Sequence, residues 1–406
     1  MRRCVILIIA AVIIISVSGC RKDDDAVSQA KIDLNRAANH YGTNFCMTDD
    51  MIYYISPGRT EYPNLLVYYD RKSGSGGPLC GKPECLHDGP DCNAYMGYSN
   101  AYGLSSYNNR LYYIYDEFDD AGGYSGSCIR SMNYDGTGLK NVGQYAENGA
   151  AWFNGTNGQY LFSDGYLFSC CSYQTIENGE SVSKQYVAAY SLAEGSVRIL
   201  YEKETKEQIV TEFLQAYDGT LYFMTAAADA DSTENENDVT IFEWEMGSDE
   251  CRASVSFSIN EPVFEFVRKG EEFLVSTRES HVFAVNEQGV HKFLDLTEDG
   301  VYGSSVVTAD RYLISYSYPD MPDYSKYRLI IYDTDGKRLL DQTEKEVYRD
   351  DMTYYGRWPL GADADNVYFA FWNISDPDNN DDFLSAYSVL TGDRKELWNS
   401  RRKGEG

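Results

Sequence analysis

The chain has 406 residues, with 63 Asp and Glu against 35 Lys and Arg, for a formal net charge of −28. That balance excludes a surface built to neutralise nucleic-acid phosphates, and equally one that docks on anionic lipid through protein charge. Tyr is abundant at 36 residues, a composition that suits pleated, half-buried strands better than helices.

Arg2 and Arg3 precede an apolar run, "CVILIIAAVIIISV", from Cys4 to Val17. The run is shorter than the ~20 residues a membrane span needs, so residues 1–19 read as a cleavable leader. The next residues, Val17-Ser18-Gly19-Cys20, resemble the bacterial lipobox. That resemblance implies that Cys20 is lipidated and becomes the first residue of the mature chain. The competing readings are ordinary secretion and an uncleaved anchor. Loss of Arg2 and Arg3 with the leader takes the net charge from −28 to −30. An N-acylated, diacylated cysteine suffices for stable anchoring, which places the protein on the extracytoplasmic face of a bacterial membrane. Residues 20–43 read as the lipidated cysteine and a polar tether, with room for a short helix.

From 44 to 399 one order of events recurs. An acidic, Asn- or Gly-containing turn leads into an apolar-aromatic strand, as in "DDMIYYIS" at Asp49, "NNRLYYIY" at Asn108, "SDGYLFSC" at Ser163 and "YDGTLYFMT" at Tyr217. Weaker copies begin at Lys269, Ala309 and Ala364. Each is followed by a second strand, such as "LLVYYD" or "RLIIYD", and then by a glycine turn at Gly74, Gly136, Gly195, Gly247, Gly289, Gly336 or Gly392. The anchor residues Ile52, Leu111, Leu167, Leu221, Phe273, Leu313 and Val367 lie 59, 56, 54, 52, 40 and 54 residues apart. Such periods fit one four-stranded propeller blade with some long loops. The expected fold is therefore all-β, a single β-propeller of seven four-stranded blades, with residues 400–406 as a charged tail. A β-sandwich pair or another solenoid is the alternative. Helical periodicity is confined to "KETKEQIVTEFLQAY" around Thr211.

These repeats resemble the sugar-type and receptor-type propellers whose blades carry a "DGxLYY…LYxYDxxTGe" pattern. Bacterial surface lipoproteins with LDL-receptor-related-protein-like (YWTD) propeller domains are similar over roughly Asn44 to Trp398. The resemblance implies a fold and a location but no activity, because propellers host both enzymes and binders. Strands within a blade alternate in direction, so the third-to-fourth turns lie on one face of the disc. The second-to-third loops and the blade-to-blade crossovers then share the other. Several of those loops are long and acidic, among them "DEFDDAGGYSG", "AAADADSTENEND", "SYPDMPDYSKY" and "NISDPDNNDD".

The first crossover holds the densest chemistry, "PLCGKPECLHDGPDC" from Pro78 to Cys92. Cys80, Cys85, His87 and Cys92 supply three thiols and an imidazole, a donor set that a structural zinc ion takes tetrahedrally. An exported chain also permits disulfides. Setting aside Cys4 and Cys20, eight cysteines remain, an even number, and a bridge such as Cys85–Cys92 would clip the crossover. Similar cysteine–histidine loops in lipoproteins of the resembling type imply a structural feature rather than catalysis. Cys46, Cys128, Cys170, Cys171 and Cys251 fall in or beside strands, and adjacent Cys170 and Cys171 should face opposite sides of their sheet. "DTDGK" at Asp333 begins like a calcium loop, but its later ligands do not follow, and a hairpin accounts for it. The other acidic loops read as solvated.

The sequence carries no G-x-S-x-G, H-E-x-x-H, P-loop or dinucleotide fingerprint. His40 lies in the tether, and His281 and His291 flank hairpins. A two-lobed solute-binding lipoprotein would need alternating helices and strands that this chain lacks. The leading expectation is thus a surface-anchored, monomeric scaffold, leaning away from enzyme, that binds an extracellular protein, peptide or glycan through its long-loop face. The alternative is an extracellular carbohydrate-active or other hydrolytic propeller using paired carboxylates.

Overall fold

The computed structural model describes residues 44–399 apart from 57–62, 83, 98–100, 148, 154–158, 178–179, 206–207, 229–236, 301–305, 310–311, 318–327, 344–354 and 374–382. The leader, Cys20, the tether and the 400–406 tail lie outside the described residues, as does most of three of the acidic loops.

Twenty-eight strands form seven four-stranded antiparallel sheets, each built from four consecutive strands. Blade one is β1 (Phe45–Met47), β2 (Met51–Ile55), β3 (Leu66–Asp70) and β4 (Gly76–Pro78). Blade two is β5 (Ala101–Tyr107), β6 (Arg110–Phe118), β7 (Tyr124–Asn133) and β8 (Lys140–Glu147). Blade three is β9 (Gln159–Ser163), β10 (Tyr166–Glu177), β11 (Glu180–Ser191) and β12 (Ser196–Thr205). Blade four is β13 (Gln208–Tyr217), β14 (Thr220–Ala228), β15 (Asn237–Glu245) and β16 (Cys251–Ile259). Blade five is β17 (Val263–Lys269), β18 (Glu272–Thr277), β19 (His281–Asn286) and β20 (Gly289–Asp295). Blade six is β21 (Val306–Ala309), β22 (Tyr312–Ser317), β23 (Arg328–Asp333) and β24 (Arg338–Thr343). Blade seven is β25 (Tyr355–Ala362), β26 (Asn366–Asn373), β27 (Phe383–Ser388) and β28 (Arg394–Asn399).

All seven anchor residues fall on second strands and are buried, from Ile52 on β2 to Val367 on β26. The seven repeat glycines all have positive φ, as Gly136 (78°) and Gly336 (80°) illustrate. Such turns take glycine because its missing Cβ removes the steric cost of a left-handed backbone. The helical expectation near Thr211 is corrected. Gln208–Tyr217 is the innermost strand of blade four and pairs with β14 from Gln208↔Ala228 to Tyr217↔Thr220. Its Ala216 packs with Phe168 and Val187 of blade three, so tertiary burial outweighs a local 3.6-residue pattern.

Seven buried clusters fill the seven seams between blades. Innermost strands touch in order around the ring, and β25 meets β1 to close it. Among the described residues each sheet is built from consecutive strands, and side chains of blades seven and one meet across that last seam. Phe45 and Tyr368 place their ring centroids 5.6 Å apart there, and Arg71 bonds Asp363 at 2.5 Å. Removing one large side chain from such a seam costs about 2–5 kcal/mol, because a packed interior cannot fully collapse into the gap.

Candidate metal centre

The crossover from blade one to blade two is closed at its base by a single residue of β3. The Leu66 carbonyl accepts the Leu79 N–H, and the Leu66 N–H donates to the Ala94 carbonyl, both at 2.8 Å. Tyr95 bridges Leu65, and Met96 donates to the Asn64 carbonyl. Leu79, Ala94 and Met96 are buried, and Leu79 and Met96 pack in the blade-one/blade-two cluster with Leu111 and Tyr113. On the next blade, Asn93 Nδ2 donates to the Gly136 carbonyl at 2.6 Å. Both ends of the loop are thus fixed to rigid strands. The crossover leaves from the long-loop face, as connectivity requires, and its Leu79 and Asn93 meet the β7–β8 turn at Gly136.

Between those fixed ends, one ligand atom each from Cys80, Cys85, His87 and Cys92 lies within 4.8 Å of the others. The four residues singled out by spacing are therefore brought together. Local backbone geometry explains how. His87 has φ 60°, a left-handed conformation that His tolerates better than most residues, and this turns its ring back onto the loop. His87 Nδ1 lies 3.2 Å from Cys92 Sγ. The Cys85 N–H donates to the Lys82 carbonyl, and Lys82 Nζ reaches the Asp91 carbonyl at 2.5 Å, tying the two limbs.

Two backbone amides point at sulfur. The His87 N–H is directed at Cys85 and the Ala94 N–H at Cys92, each two residues beyond the cysteine. An N–H···S bond stabilises thiolate, the form that ligates a metal. The His87 amide holds the Cys85 thiol below its ordinary range, helped by the neighbouring thiols and Lys82. Burial pushes the Cys92 thiol up to about 12. Bare, the site pairs one easily ionised sulfur with one that resists charge, and a dication repays the second by its own field.

No disulfide joins the eight described cysteines in this structure, and Cys85 and Cys92 both stand within the cluster. Participation of His87 has a use in a metal site and none in a disulfide clip. Among the described residues this is the one group of His, Cys and acidic side chains converging as metal ligands. The set suits zinc by donor softness and by number, and it would occupy all four tetrahedral positions.

The other sequence candidates resolve as structural. Asp333 Oδ1 accepts from the Asp335 and Lys337 amides, which makes "DTDGK" a self-capped hairpin. Asp119 does the same for Ala121 and Gly123 within "DEFDDAGGYSG". Cys170 packs toward blade four, while the Cys171 thiol reaches the Trp152 carbonyl on the opposite side, so the two do face opposite ways. Sequence reasoning missed His281. Its Nδ1 lies 2.8 Å from Glu261 Oε1 and its Nε2 lies 3.2 Å from Asp295 Oδ1. The three residues are separated by 20 and 14 positions, so no local motif announces them. It also missed Asp116, buried beneath the second-to-third loop of blade two. Asp116 accepts from Tyr102 Oη at 2.7 Å and Ser127 Oγ at 2.5 Å, while burial raises its pKa.

The fold and this site define a class, a seven-bladed β-propeller carrying a Cys3His-ready crossover. No protein-family model and no curated protein sequence matches the chain. Among solved structures it is similar to the acylaminoacyl peptidase of Pyrococcus horikoshii, with TM-score 0.50 and 11% identity over 91% of this chain and 53% of the peptidase. The chain thus spans about half the length of that enzyme. It also aligns with the β-propeller domain of the trilobed protease from Pyrococcus furiosus, described as having an open velcro topology (TM-score 0.48, 11% identity, 89% of this chain and 97% of that one). At such identities the shared property is the propeller fold alone.

Proposed function

We propose that this chain is a bacterial surface lipoprotein, anchored through lipid on Cys20 behind a 1–19 leader. Its propeller, at 44–399, serves as a binding scaffold for an extracellular protein, peptide or glycan. The blade repeats and the Val17–Cys20 motif support kinship with LDL-receptor-related-protein-like propellers. The observation that carries the scaffold reading is the convergence of Cys80, Cys85, His87 and Cys92 within 4.8 Å on a crossover held at both ends by buried residues. A zinc ion there has four protein ligands and no open position for substrate or activated water, so it stiffens a loop rather than performs chemistry. Loops held on a rigid scaffold are where recognition residues usually lie.

Mass spectrometry of the mature, lipid-free domain tests the clip. One zinc per chain under native conditions, absent from Cys85→Ser, is the expected result. A metal-free chain two hydrogens lighter than its sequence would overturn it. The scaffold itself is tested by arraying glycans and peptides against the domain and assaying the same panel for hydrolysis. Binding without turnover is expected; robust cleavage of any polysaccharide or peptide would replace the scaffold by a hydrolase. Membrane attachment that survives a salt wash and is lost in Cys20→Ala supports the anchor.

A further inference from the structure

A second candidate site lies on the opposite face from the long loops, where the first-to-second strand turns of blades seven, one and two approach one another. These turns and the β3–β4 turn enclose a cleft of ≈ 380 Å³, within the roughly 300–1,000 Å³ of small-molecule sites. One wall is the half-buried ring of Tyr134, stacked on buried Tyr53 with centroids 5.7 Å apart. Tyr134 Oη shares a 2.5 Å hydrogen bond with Ser106 Oγ, and Tyr53 Oη donates to the Tyr134 carbonyl at 3.2 Å. The aromatic wall is therefore fixed before any ligand arrives.

Three ionic groups of the rim, Asp363, Arg71 and Asp50, are already engaged, and the Asp49 carboxylate lies beside them. Asp363 accepts from Arg71 at 2.5 Å, from Tyr368 Oη at 2.6 Å and from the Asp365 and Asn366 amides. Asp50 pairs with Lys72 at 2.7 Å. Exposed beside the cleft, along with Asp49 and Asp50, are Asn108 and Asn109, consecutive residues with φ 46° and 58°. Neither amide hydrogen-bonds to a described residue. Each offers one acceptor and two donors of no net charge.

We infer that this cleft binds a neutral saccharide, a mono- or disaccharide unit, with Asn108 and Asn109 reading hydroxyl groups and the Tyr134 ring carrying an apolar sugar face. A ligand charged against Asp363, Arg71 or Asp50 would have to displace an ion pair already made, whereas a polyol needs only neutral donors and acceptors there. An aromatic face beside planar amides meets both sides of a sugar, its C–H surface and its hydroxyl edge. The inference rests on the scaffold reading, but places this ligand on the face opposite the long loops.

The test uses Asn108→Gly/Asn109→Gly, which removes both amides while keeping the left-handed turn that glycine adopts freely. Neutral mono- and disaccharides of glucose, galactose, mannose and N-acetylglucosamine are titrated by calorimetry and saturation-transfer NMR against the full mature chain. The expected result is binding of at least one by the wild type, weakened about tenfold in the double variant, as loss of two neutral hydrogen bonds predicts. Saccharide binding equal in wild type and variant would overturn the cleft while sparing the scaffold. Binding of peptides but no saccharide would do the same. Spermidine bound in place of sugar, and lost in the variant, would overturn the ligand class. Cleavage of the bound saccharide would overturn the scaffold reading itself.

Discussion

Two histidines of the same disc, His87 in the first crossover and His281 at the start of β19, are used in opposite ways. In the crossover after blade one, His87 faces three thiols drawn from a span of thirteen residues, Cys80 to Cys92. At blade five, His281 sits between Glu261, at the entry to the blade, and Asp295, at its exit. The first is a soft, local donor set that waits for a metal. The second satisfies itself: Thr277 donates to Glu261, Asp295 accepts the Thr297 N–H as the cap of a short 3-10 turn, and Lys292 adds a 2.9 Å ion pair. Stiffening a loop from within needs a cross-link, because a short segment buries too little to order itself. Stiffening one that spans a whole blade needs only charges already brought together by the sheet.

Four perturbations should separate these two devices. The largest effect is expected from Gly136→Ala. A Cβ there would lie 2.5 Å from the Leu79 carbonyl oxygen, on a backbone with φ 78°. Unseating the first crossover should cost about 2–3 kcal/mol, read as a fall in denaturant midpoint, with blade-five amide exchange unchanged. If stability is untouched, the crossover is not seated on blade two. Next comes His281→Ala, which leaves two part-buried carboxylates facing each other and should cost about 1–2 kcal/mol, with no change in metal content. Zinc loss in that variant would break the separation.

A strong chelator should act only on the first crossover, speeding amide exchange from Cys85 to Ala94 about tenfold or more while leaving the melting of the disc nearly unchanged. Equal protection with and without chelator would remove the metal from the account. The smallest effect is acid. The Thr297 hydroxyl, then Lys292 and His281, hold Asp295 down at about 2. A depressed carboxyl contributes stability that is complete above its unfolded value near 4. That contribution fades as pH falls from about 4 toward 2. Melting curves over that window should show a small loss that Asp295→Asn abolishes, together with its share of stability at neutral pH.

Much of the fold was legible because a propeller repeats itself. Leu111, Leu221 and Leu313 each follow a turn and precede a strand and a glycine hairpin, and the same physical demand recurs in every blade. The innermost strands were less visible. Gln208–Tyr217 reads as amphipathic at 3.6 residues, and only its neighbour β14 and the flank of blade three make it extended. The metal candidate was legible for the opposite reason, since its donors are rare residue types crowded into one loop. Asp116 and His281 were illegible, because common residues become informative only when burial or a distant partner singles them out. The same holds for the Asn108–Asn109 cleft, whose walls come from three blades.

The sequence by itself determined the all-β propeller repeat, with seven blades as the expectation the structure then settled, and the four residues able to hold zinc. Each depends on spacing along the chain, and spacing survives without coordinates. Tertiary structure decided the rest: that His87 turns back onto Cys92, which side chains meet across the seam between blades seven and one, and which acids are already engaged. Those outcomes depend on which strangers the sheet edges and seams bring within a few ångströms, and closure of the disc sets those distances all at once.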